Sequence, residues 1–364
     1  MRAGLYIGLM SGTSIDGIDA VLAAPRGNRL QVKAAFHRPF SPRLRGRLLA
    51  LQAPGPDELR RAAIAANQLT RAYAAAVRSL LSRARVAPGG IAAIGCHGQT
   101  VRHQPGAGYT LQLVNGALLA ELTGIDVVCD FRGRDIAAGG EGAPLVPAFH
   151  SAAFRARRRS RAVVNIGGMA NLTSLTAHGP VTGFDCGPGN CLLDAWIGAR
   201  RHRQYDRGGA WAARGRVLPR LLEKLLADPY FRRRPPKSTG RETFNLAWLQ
   251  RRLTRNLRGE DVQATLLELT ARTIAGAVQN YCADAREVLV CGGGARNRVL
   301  VARIAALLSG RRVALTDKAG IAAQHVEALA FAWLARECLR RKPGNLPSVT
   351  GARGPRVLGA IYPA

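Results

Sequence analysis

Lysine, acidic residues and aromatic residues are scarce in this sequence. Its 53 basic residues are 48 arginines and five lysines, set against 23 acidic residues, so the formal net charge is +30. A specific nucleic-acid interface usually shows a concentrated basic stripe within a recognisable module, whereas here only 5% of residues are aromatic and no such module is present. The composition predicts no specific nucleic-acid partner, only salt-sensitive binding of polyanions. The arginines are dispersed over clusters at 155–161, 200–203, 232–234, 251–258 and 340–342.

Paired cysteines and long apolar runs are also absent. The seven cysteines form no Cys-x-x-Cys pair and no Cys/His zinc spacing, which predicts reduced, mostly buried thiols. No apolar run approaches the roughly 20 residues that span a bilayer, and the N-terminus enters a predicted strand without a signal-peptide pattern. We therefore expect a cytoplasmic protein with no membrane partner. Its 364 residues, 47% of them hydrophobic, suffice for two lobes with a buried core.

Residues 5–23 contain the most informative local pattern. An apolar run (Leu5–Leu9) enters a small polar loop (Ser11–Asp19), and a second apolar run (Ala20–Ala23) leaves it, which predicts a strand–turn–strand hairpin. Such a loop turns backbone N–H groups outward, as a phosphate cradle does. It is not a Walker A loop, because no Gly-Lys-Ser/Thr follows. The residues of this predicted phosphate loop are Ser11, Gly12, Thr13, Ser14 and Gly17.

Two aspartates in the same loop suit a hydrated magnesium ion. Mg²⁺ in proteins usually takes only one or two carboxylates and keeps several waters. Asp16 and Asp19 are the carboxylates available here, and we assign Asp16 as a metal ligand that acts through water. For this loop taken alone, an ordinary Gly-Asp hairpin turn remains the alternative reading.

Three more Gly-rich turns follow strand-like runs. Residues 162–176 repeat the plan of strand, glycine turn and strand, and residues 183–197 pass from a turn into a helical pattern. Residues 287–308 run from a strand through Gly292-Gly293-Gly294 into a helix. A Gly-rich turn at a helix N-terminus is a ready anion site. Four such turns over both halves of the chain are hard to explain as four unrelated hairpins.

Apolar periodicity outlines the remaining elements. It predicts a long helix over 57–84, after a proline-punctuated stretch near 39–56, and strands at 91–95, 125–129 and 162–166. Further helices are predicted near 190–199, 212–227, 244–257, 262–282, 295–309 and 325–341.

The ordered series of motifs resembles the anhydro-N-acetylmuramic acid kinases, bacterial enzymes of the actin/sugar-kinase/Hsp70 superfamily. The resemblance covers essentially all 364 residues, and the signatures fall in the family's order. They are Gly8–Ser14 with Asp16-Gly17, Gly95–Thr100, Asp130–Arg132 with Asp135, Gly142–His150, Asn165–Gly168, Gly183–Asn190, Lys237–Glu242, Cys291–Gly294 and Glu327–Trp333.

The resemblance implies an α/β fold of the two-lobed, actin-like ATPase type, with ribonuclease-H-like sheets flanked by helices and the nucleotide in the interlobe cleft. We expect residues 1–140 to form a first lobe with the phosphate-loop hairpin, and residues 342–364 to return to it. Residues 141–341 would form the second lobe, with the catalytic aspartate and the glycine motif for adenosine.

The resemblance also implies which side chains act on the substrates. Asp185 would be the general base, because the family's catalytic aspartate lies in this motif; from the residues alone, a turn or helix-cap aspartate remains open. His97 and Gln99 would hydrogen-bond sugar or water, Arg132 would pair with the lactyl carboxylate, and Glu327 would contact the sugar. The nucleotide and its metal would lie against the phosphate loop, Asp19, Asn165, Gly167, Gly168, Gly187, Gly189, Gly292, Gly293, Gly294 and Asn297.

The implied activity is a kinase that uses ATP and Mg²⁺ to open 1,6-anhydro-N-acetylmuramic acid and phosphorylate O6, in peptidoglycan recycling. Two alternatives remain open at this stage: another ATP-dependent amino-sugar kinase, and a non-enzymatic actin-like nucleotide switch. Asp185 argues against the switch, and the combination of His97, Arg132 and Glu327 argues against a generic hexose kinase. The expected partner is a small-molecule sugar, and a homodimer is left open.

Overall fold

A computed structural model describes residues 4–12, 14–156 and 158–364. The chain divides into two compact units, which we call the first unit (Met1–Ala153 with His325–Ala364) and the second unit (Phe154–Gln324). Among the described residues, no helix has both the length and the apolar character needed to cross a membrane.

Strands and helices alternate along the chain. The strands are β1 (Leu5–Met10), β2 (Gly17–Arg26), β3 (Arg29–Pro39), β4 (Ile91–Cys96), β5 (Gln99–Gln104), β6 (Tyr109–Leu113), β7 (Val127–Cys129), β8 (Arg161–Ile166), β9 (Met169–Leu175), β10 (Thr182–Pro188), β11 (Glu287–Cys291), β12 (Arg312–Leu315) and β13 (Ala360–Tyr362). The helices are α1 (Pro42–Ala50), α2 (Glu58–Ala84), α3 (Gly116–Thr123), α4 (Gly133–Ala137), α5 (Val146–Phe154), α6 (Cys191–Arg201), α7 (Pro219–Leu226), α8 (Pro229–Arg232), α9 (Leu246–Gln250), α10 (Gly259–Tyr281), α11 (Arg298–Leu307), α12 (Val326–Leu339) and α13 (Pro347–Thr350).

A mixed sheet in the order β13-β7-β4-β1-β2-β3 organises the first unit. β1, β4 and β7 run parallel, β2 and β3 continue the sheet as antiparallel neighbours of β1, and β13 closes the other side antiparallel to β7. β5 and β6 form a separate antiparallel hairpin. The strand at the C-terminal end thus pairs with β7, a strand from the first half of the chain.

Alternation along β1 sends its side chains to two different faces of this sheet. Ile7 and Leu9 are fully buried in the core beneath α2, together with Tyr73 and Val77 of that helix. Tyr73 and Val77 are four residues apart, so they lie on one face of α2. The intervening residue, Gly8, faces the opposite side, where α12 packs on β1 and β4.

A pair of glycines lets α12 lie directly on the sheet. Gly8 and Gly95 are register partners on the parallel strands β1 and β4. A Cβ atom on Gly8 would overlap the Ala328 carbonyl of α12, and one on Gly95 would overlap the Phe331 carbonyl. The glycines therefore fix how closely α12 approaches the sheet, because any side chain at either position would displace the helix backbone.

The second unit repeats the plan of the first sheet in the order β10-β9-β8-β11-β12. β8, β11 and β12 run parallel, and β9 and β10 continue the sheet as antiparallel neighbours of β8. The centres of β8 and β11 are continuous buried apolar runs (162–164 and 288–290), as expected for parallel strands covered on both faces. Helix α10 packs against β9 and β10, and α11 packs against α10.

Two sheets of one plan, each flanked by helices, confirm the α/β fold class. The predicted hairpin over 5–23 and the helix over 57–84 are confirmed, although β2 already begins at Gly17. The single helix predicted near 212–227 is wrong, because the chain makes a short 3-10 turn at 212–214 and starts α7 only at Pro219. Proline at the first position of a helix is favoured, since its missing N–H has no partner to lose there.

The unit boundaries differ from the expected lobe boundaries at 140/141 and 341/342. Residues 146–153, which form most of α5, and all of α12 are assigned to the first unit. The glycine contacts of α12 with β1 and β4 explain this assignment, because they join that helix to the first sheet.

Candidate active-site residues

The predicted phosphate loop connects β1 to β2 in the first unit. The Ser11 hydroxyl is buried, donates to the Gly98 carbonyl at 3.1 Å and lies 2.6 Å from the Tyr73 hydroxyl. It therefore anchors the loop, which differs from the expectation of a hydroxyl free to meet a phosphate. Gly12 and Ser14 are partly exposed, and Thr13 lies outside the described residues.

Ile15 gives this loop an unusual backbone. Its φ is +52°, in the left-handed region that a β-branched residue rarely enters, and its side chain is fully buried. The Ile15 N–H donates to the Gly12 carbonyl at 3.2 Å, which closes a tight turn. Backbone in such a conformation persists only where its surroundings enforce it, and it is frequent at ligand-binding sites.

The two aspartates of the loop differ in what surrounds them. Asp16 is exposed, whereas the Asp19 carboxylate lies 2.8 Å from Nδ1 of His37 on β3. Among the described residues, no cluster of three or more His, Cys, Asp and Glu side chains could hold a metal. A single exposed carboxylate suits a largely hydrated Mg²⁺, so the chemistry of Asp16 fits the predicted role.

His97 and Arg132, which are 35 residues apart in sequence, meet in the first unit. Nη2 of Arg132 donates to Nε2 of His97 at 2.9 Å, and the imidazole packs 4.7 Å from the Phe331 ring of α12. Burial, reinforced by the Arg132 charge, lowers the pKa of His97 to about 3. The imidazole is therefore neutral at physiological pH and accepts a hydrogen bond from the guanidinium.

Gln99, two residues after His97, bonds to the predicted phosphate loop. Its Nε2 donates to the Gly12 carbonyl at 3.2 Å, which fixes the orientation of the amide. Its Oε1 is buried and has no hydrogen-bond partner among the described residues. An unsatisfied buried acceptor costs about 1–3 kcal/mol, so the site suits a ligand that donates a hydroxyl or water proton there.

Arg132 is connected through the backbone of Gly142 to a buried carboxylate, Asp135, whose role the sequence does not predict. Nη1 of Arg132 donates to the Gly142 carbonyl at 2.7 Å, and the Gly142 N–H donates to Oδ2 of Asp135 at 2.8 Å. The other carboxylate oxygen of Asp135 accepts from Asn345 at 2.7 Å and Thr350 at 2.8 Å. The sequence predicts no partner for Asp135, because partners more than 200 residues away leave no local signal.

Glu327 lies in the first turn of α12, half-buried. A carboxylate is favourable there, because the helix dipole places partial positive charge at the N-terminus. The glycine pair under α12 fixes this turn relative to β1 and β4. The predicted sugar contacts therefore share one structural frame in the first unit: His97, Gln99, Arg132 and Glu327.

Glycine turns of the second unit pack against each other. The Asn190 N–H donates to the Gly167 carbonyl and the Gly189 N–H donates to the Gly168 carbonyl, each at 2.9 Å. A Cβ atom on Gly189 would overlap the Gly167 carbonyl. The β8–β9 turn and the residues just before α6 are therefore joined by backbone hydrogen bonds. Three of the predicted nucleotide-binding glycines, Gly167, Gly168 and Gly189, take part in them.

The Gly292–Gly294 turn continues this arrangement. Gly292 has φ +82°, and Cβ atoms on Gly292 or Gly294 would overlap Ile166 at the end of β8. Gly293 is different, because the nearest atom to a Cβ there is Nδ2 of Asn190 at 4.0 Å. Asn297 caps α11, since its Oδ1 accepts from the Leu300 N–H at 3.0 Å.

Asp185 lies in the middle of β10 rather than in a turn or at a helix cap. It pairs with Asn171, but Gly187 pairs with Ala170, so Cys186 is the extra residue of a β-bulge. Asp185 is 6% exposed, and its Oδ2 accepts from the Thr239 N–H at 3.0 Å. Bulges occur beside active sites, where they change the direction of a side chain. Gly187, which follows the bulge residue in β10, has φ +146°.

The cysteines beside Asp185 have packing roles. The seven cysteines are free and buried, as predicted. Burial raises the pKa of the Cys191 thiol to about 12 and raises that of Cys186 still further. Both side chains are protonated thiols at neutral pH, so neither is an activated nucleophile.

Comparisons with known proteins bear on the whole chain. The sequence model described as anhydro-N-acetylmuramic acid kinase matches residues 4–364. A protein of that name from Nitrosospira multiformis is 57% identical over 366 residues, covering 100% of both chains. One from Pseudomonas paraeruginosa is 57% identical over 361 residues, covering 99% of both. The solved activator of 2-hydroxyisocaproyl-CoA dehydratase from Clostridium difficile with bound ADPNP aligns over 92% of this chain and 97% of its own, with 13% identity and a TM-score of 0.46.

The family model matches this chain from residue 4 to residue 364, and the two relatives are each 57% identical to it over 99% or more of its length. This chain belongs to the anhydro-N-acetylmuramic acid kinase family.

Proposed function

We propose that this chain uses ATP to open the 1,6-anhydro ring of anhydro-N-acetylmuramic acid and to phosphorylate O6, giving N-acetylmuramic acid 6-phosphate and ADP. Family membership over the whole chain supports a sugar kinase of this kind. The structural observation that carries the proposal is Asp185, a buried carboxylate aimed by a β-bulge and held by a backbone N–H.

The anhydro sugar requires a hydrolytic step as well as phosphoryl transfer. Its O6 has no free hydroxyl, because O6 is bonded to C1 within the bicycle. Asp185 takes a proton from a water that attacks C1 as the C1–O6 bond breaks. O6 then bonds to the γ-phosphorus of ATP, and ADP leaves. General-base catalysis of this type contributes about 10²–10⁴-fold to a rate.

Side chains of the first unit bind and orient the sugar in this proposal. Arg132 pairs with the lactyl carboxylate, and neutral His97 keeps the guanidinium turned toward it. The unpartnered Oε1 of Gln99 accepts a sugar hydroxyl. Glu327, which lies in the first turn of α12, accepts another through its carboxylate.

The nucleotide phosphates would lie against the Gly-rich turns, where the open space beside Gly12 and Gly293 leaves room for a ligand. In the first unit these are Gly12 with Ser14 and Gly17, and in the second unit Gly167, Gly168, Gly187, Gly189 and Gly292–Gly294, with Asn165 and Asn297 beside them. Asp16 would hold Mg²⁺ through water, and the metal would neutralise phosphate charge when bound. Since the reaction consumes ATP, we place the enzyme in the cytoplasm.

The substrate assignment can be tested by measuring ADP release in a coupled assay. We expect turnover with anhydro-N-acetylmuramic acid, and at most background rates with N-acetylglucosamine or buffer alone. Turnover with N-acetylglucosamine at a comparable kcat/KM would instead identify a general amino-sugar kinase. ATP hydrolysis that no sugar stimulates would favour a nucleotide switch.

The order of bonds can be tested with heavy-oxygen water. Attack on the face opposite O6 inverts C1, so the first product is the α-anomer, before mutarotation. One turnover should place the label at C1 and none in the phosphoryl group. Label in the transferred phosphate, or a product with the anhydro ring intact, contradicts the mechanism.

A further inference from the structure

One segment of the second unit, residues 230–239, bonds to three different atoms of Asp185. The Tyr230 hydroxyl donates to the Asp185 carbonyl at 2.6 Å. The Asp185 N–H donates to the Lys237 carbonyl at 3.2 Å, and the Thr239 N–H donates to the carboxylate at 3.0 Å. Main chain and side chain of the proposed base are therefore held by the same segment.

The position of β10 explains why Asp185 needs such a partner. β10 is an edge strand of its sheet, so one row of its backbone groups has no neighbouring strand among the described residues. The bulge at Cys186 also interrupts the regular pairing with β9 next to Asp185. Without further hydrogen bonds, the backbone at Asp185 could change direction. Even a small change would move the carboxylate out of the position in which it can contact the reacting water.

Lys237 closes the segment into a loop. Its side chain is 5% exposed, and Nζ donates to the Tyr230 carbonyl at 3.2 Å while lying 4.7 Å from the centre of the Tyr230 ring. Burial lowers the pKa of this lysine. Removing an ammonium group from water is costly, yet an apolar side chain of similar length would fill the same space. A buried lysine at this position therefore calls for a reason beyond packing.

We infer that Tyr230 and Lys237 are positioning residues, which hold the carboxylate of Asp185 in the direction that its reaction requires. Tyr230 fixes the Asp185 carbonyl, and Lys237 joins the two ends of the segment that supplies the Thr239 N–H. This inference rests on the proposed role of Asp185 as general base. It assigns a use to the Lys237–Glu242 motif, which the proposed chemistry otherwise leaves unexplained.

Tyr230→Phe removes one hydroxyl and keeps the ring that packs against Phe231 and Phe244. We expect kcat to fall about three- to tenfold, as for one lost hydrogen bond, with the KM for sugar and for ATP unchanged. Tyr281→Phe is the matched control, because its ring lies 4.8 Å from that of Phe184, the neighbour of Asp185. It should leave kcat unchanged.

Lys237→Met keeps the length of the side chain and removes the charge and the Nζ donor. We expect kcat to fall by about tenfold or more with KM unchanged, because both ends of the segment are released. A defect in folding alone would lower the active fraction. Active-site titration with ATP and the thermal transition separate that outcome from a lower kcat.

A double-mutant cycle decides whether these residues act through Asp185. Single-turnover ADP formation is measured for Asp185→Asn, Lys237→Met and the double variant. If Lys237 works by positioning the base, the double variant is no slower than Asp185→Asn. Additive losses, or full kcat in both Tyr230→Phe and Lys237→Met while Asp185→Asn is impaired, overturn the inference alone. Full activity of Asp185→Asn overturns the proposed base, and the inference with it.

Discussion

The two units have the same sheet plan but differ in where their glycines lie and in what packs against them. At the centre of the first sheet, Gly8 and Gly95 lie side by side, and the backbone of α12 packs directly on them. The equivalent centre of the second sheet is filled by branched aliphatic residues, including Val164 and Val290 in register. In the second unit the glycines lie instead at the strand ends, where turns pack on turns.

This difference shows that a glycine's role follows from what its absent side chain admits. In the first sheet the missing Cβ admits a helix, so the glycine contributes to stability and to the placement of Phe331 and Glu327. At Gly12 and Gly293, a Cβ atom would have no described atom closer than 4.0 Å. Open space beside a glycine within a Gly-rich turn is what a ligand-binding position requires.

The largest effect is expected at the glycine pair. Gly8→Ala or Gly95→Ala places a methyl group inside a carbonyl group of α12, which cannot move without leaving the sheet. We expect a loss of more than about 4 kcal/mol in the free energy of unfolding, since backbone overlap in a core exceeds ordinary overpacking. Denaturant unfolding, or failure to recover folded protein, measures this.

Gly46→Ala is the control for that experiment. Gly46 lies in α1 of the same unit and has open space around it. The change should stabilise the protein by about 0.5–1 kcal/mol, because alanine is the better helix former. Equal effects at Gly8 and Gly46 would refute the role of the pair.

The second largest effect concerns chemistry in the second unit. Asp185→Asn preserves the shape of the side chain and removes the proton acceptor. We expect turnover to fall by about 10²–10⁴-fold with ATP affinity and thermal stability retained. Steady-state ADP release and ATP titration measure the two quantities. Near-normal turnover would remove Asp185 as the base.

A third test compares how much folding stability each unit loses in acid. Burial lowers the pKa of His97 and His150 to about 3 and that of His103 to about 4, whereas His178 and His202 of the second unit are exposed. As pH falls below about 6.5, the unfolded chain binds protons that the folded first unit excludes. Stability is complete above that pH and declines toward pH 3–4, by about 1.4 kcal/mol per pH unit for each buried histidine.

Hydrogen exchange at pH 7 and pH 5, corrected for intrinsic rates, measures this contrast. β4 and α5, which adjoin or contain the buried histidines, should lose protection before β8 and β11. Earlier loss of protection in β8 and β11 would contradict the expectation.

Several elements could be predicted from the sequence because their signals are local. The hairpin over 5–23 has two apolar runs around a Gly-rich loop, and α2 has a long apolar periodicity. α1 was missed although Ser41 and Pro42 form a standard helix start, with the Ser41 hydroxyl accepting from the Leu44 N–H. β3 was missed because its half-exposed side chains give little alternation.

The site contacts depend on distances that one sequence does not contain. Arg132 was selected by resemblance, but its link to His97 and, through Gly142, to Asp135 appears only in the fold. The bulge at Cys186 likewise has no local signature, because Gly187-Pro188-Gly189 looks like a turn that ends the strand. Long-range packing decides both features. The sequence therefore predicts which residue types take part, whereas their contact partners are visible only in the structure.

The smallest effect is expected where glycine faces open space, and it separates the two uses most sharply. Gly12→Val and Gly293→Val add a branched side chain that meets no described atom closely, so the free energy of unfolding should change by less than about 1 kcal/mol. If the nucleotide lies against these turns, the same side chains occupy its space, and ATP affinity should fall about tenfold or more, equivalent to about 1.4 kcal/mol. Gly276→Ala is the control: Gly276 lies on α10 with open space around it, and the change should alter neither quantity by as much.

Calorimetric titration with ATP measures the affinity of each variant, and denaturant unfolding measures its free energy of unfolding. Unchanged ATP affinity in both valine variants would mean that the nucleotide binds elsewhere. Loss of folding in either would mean that its glycine, like Gly8, serves the fold.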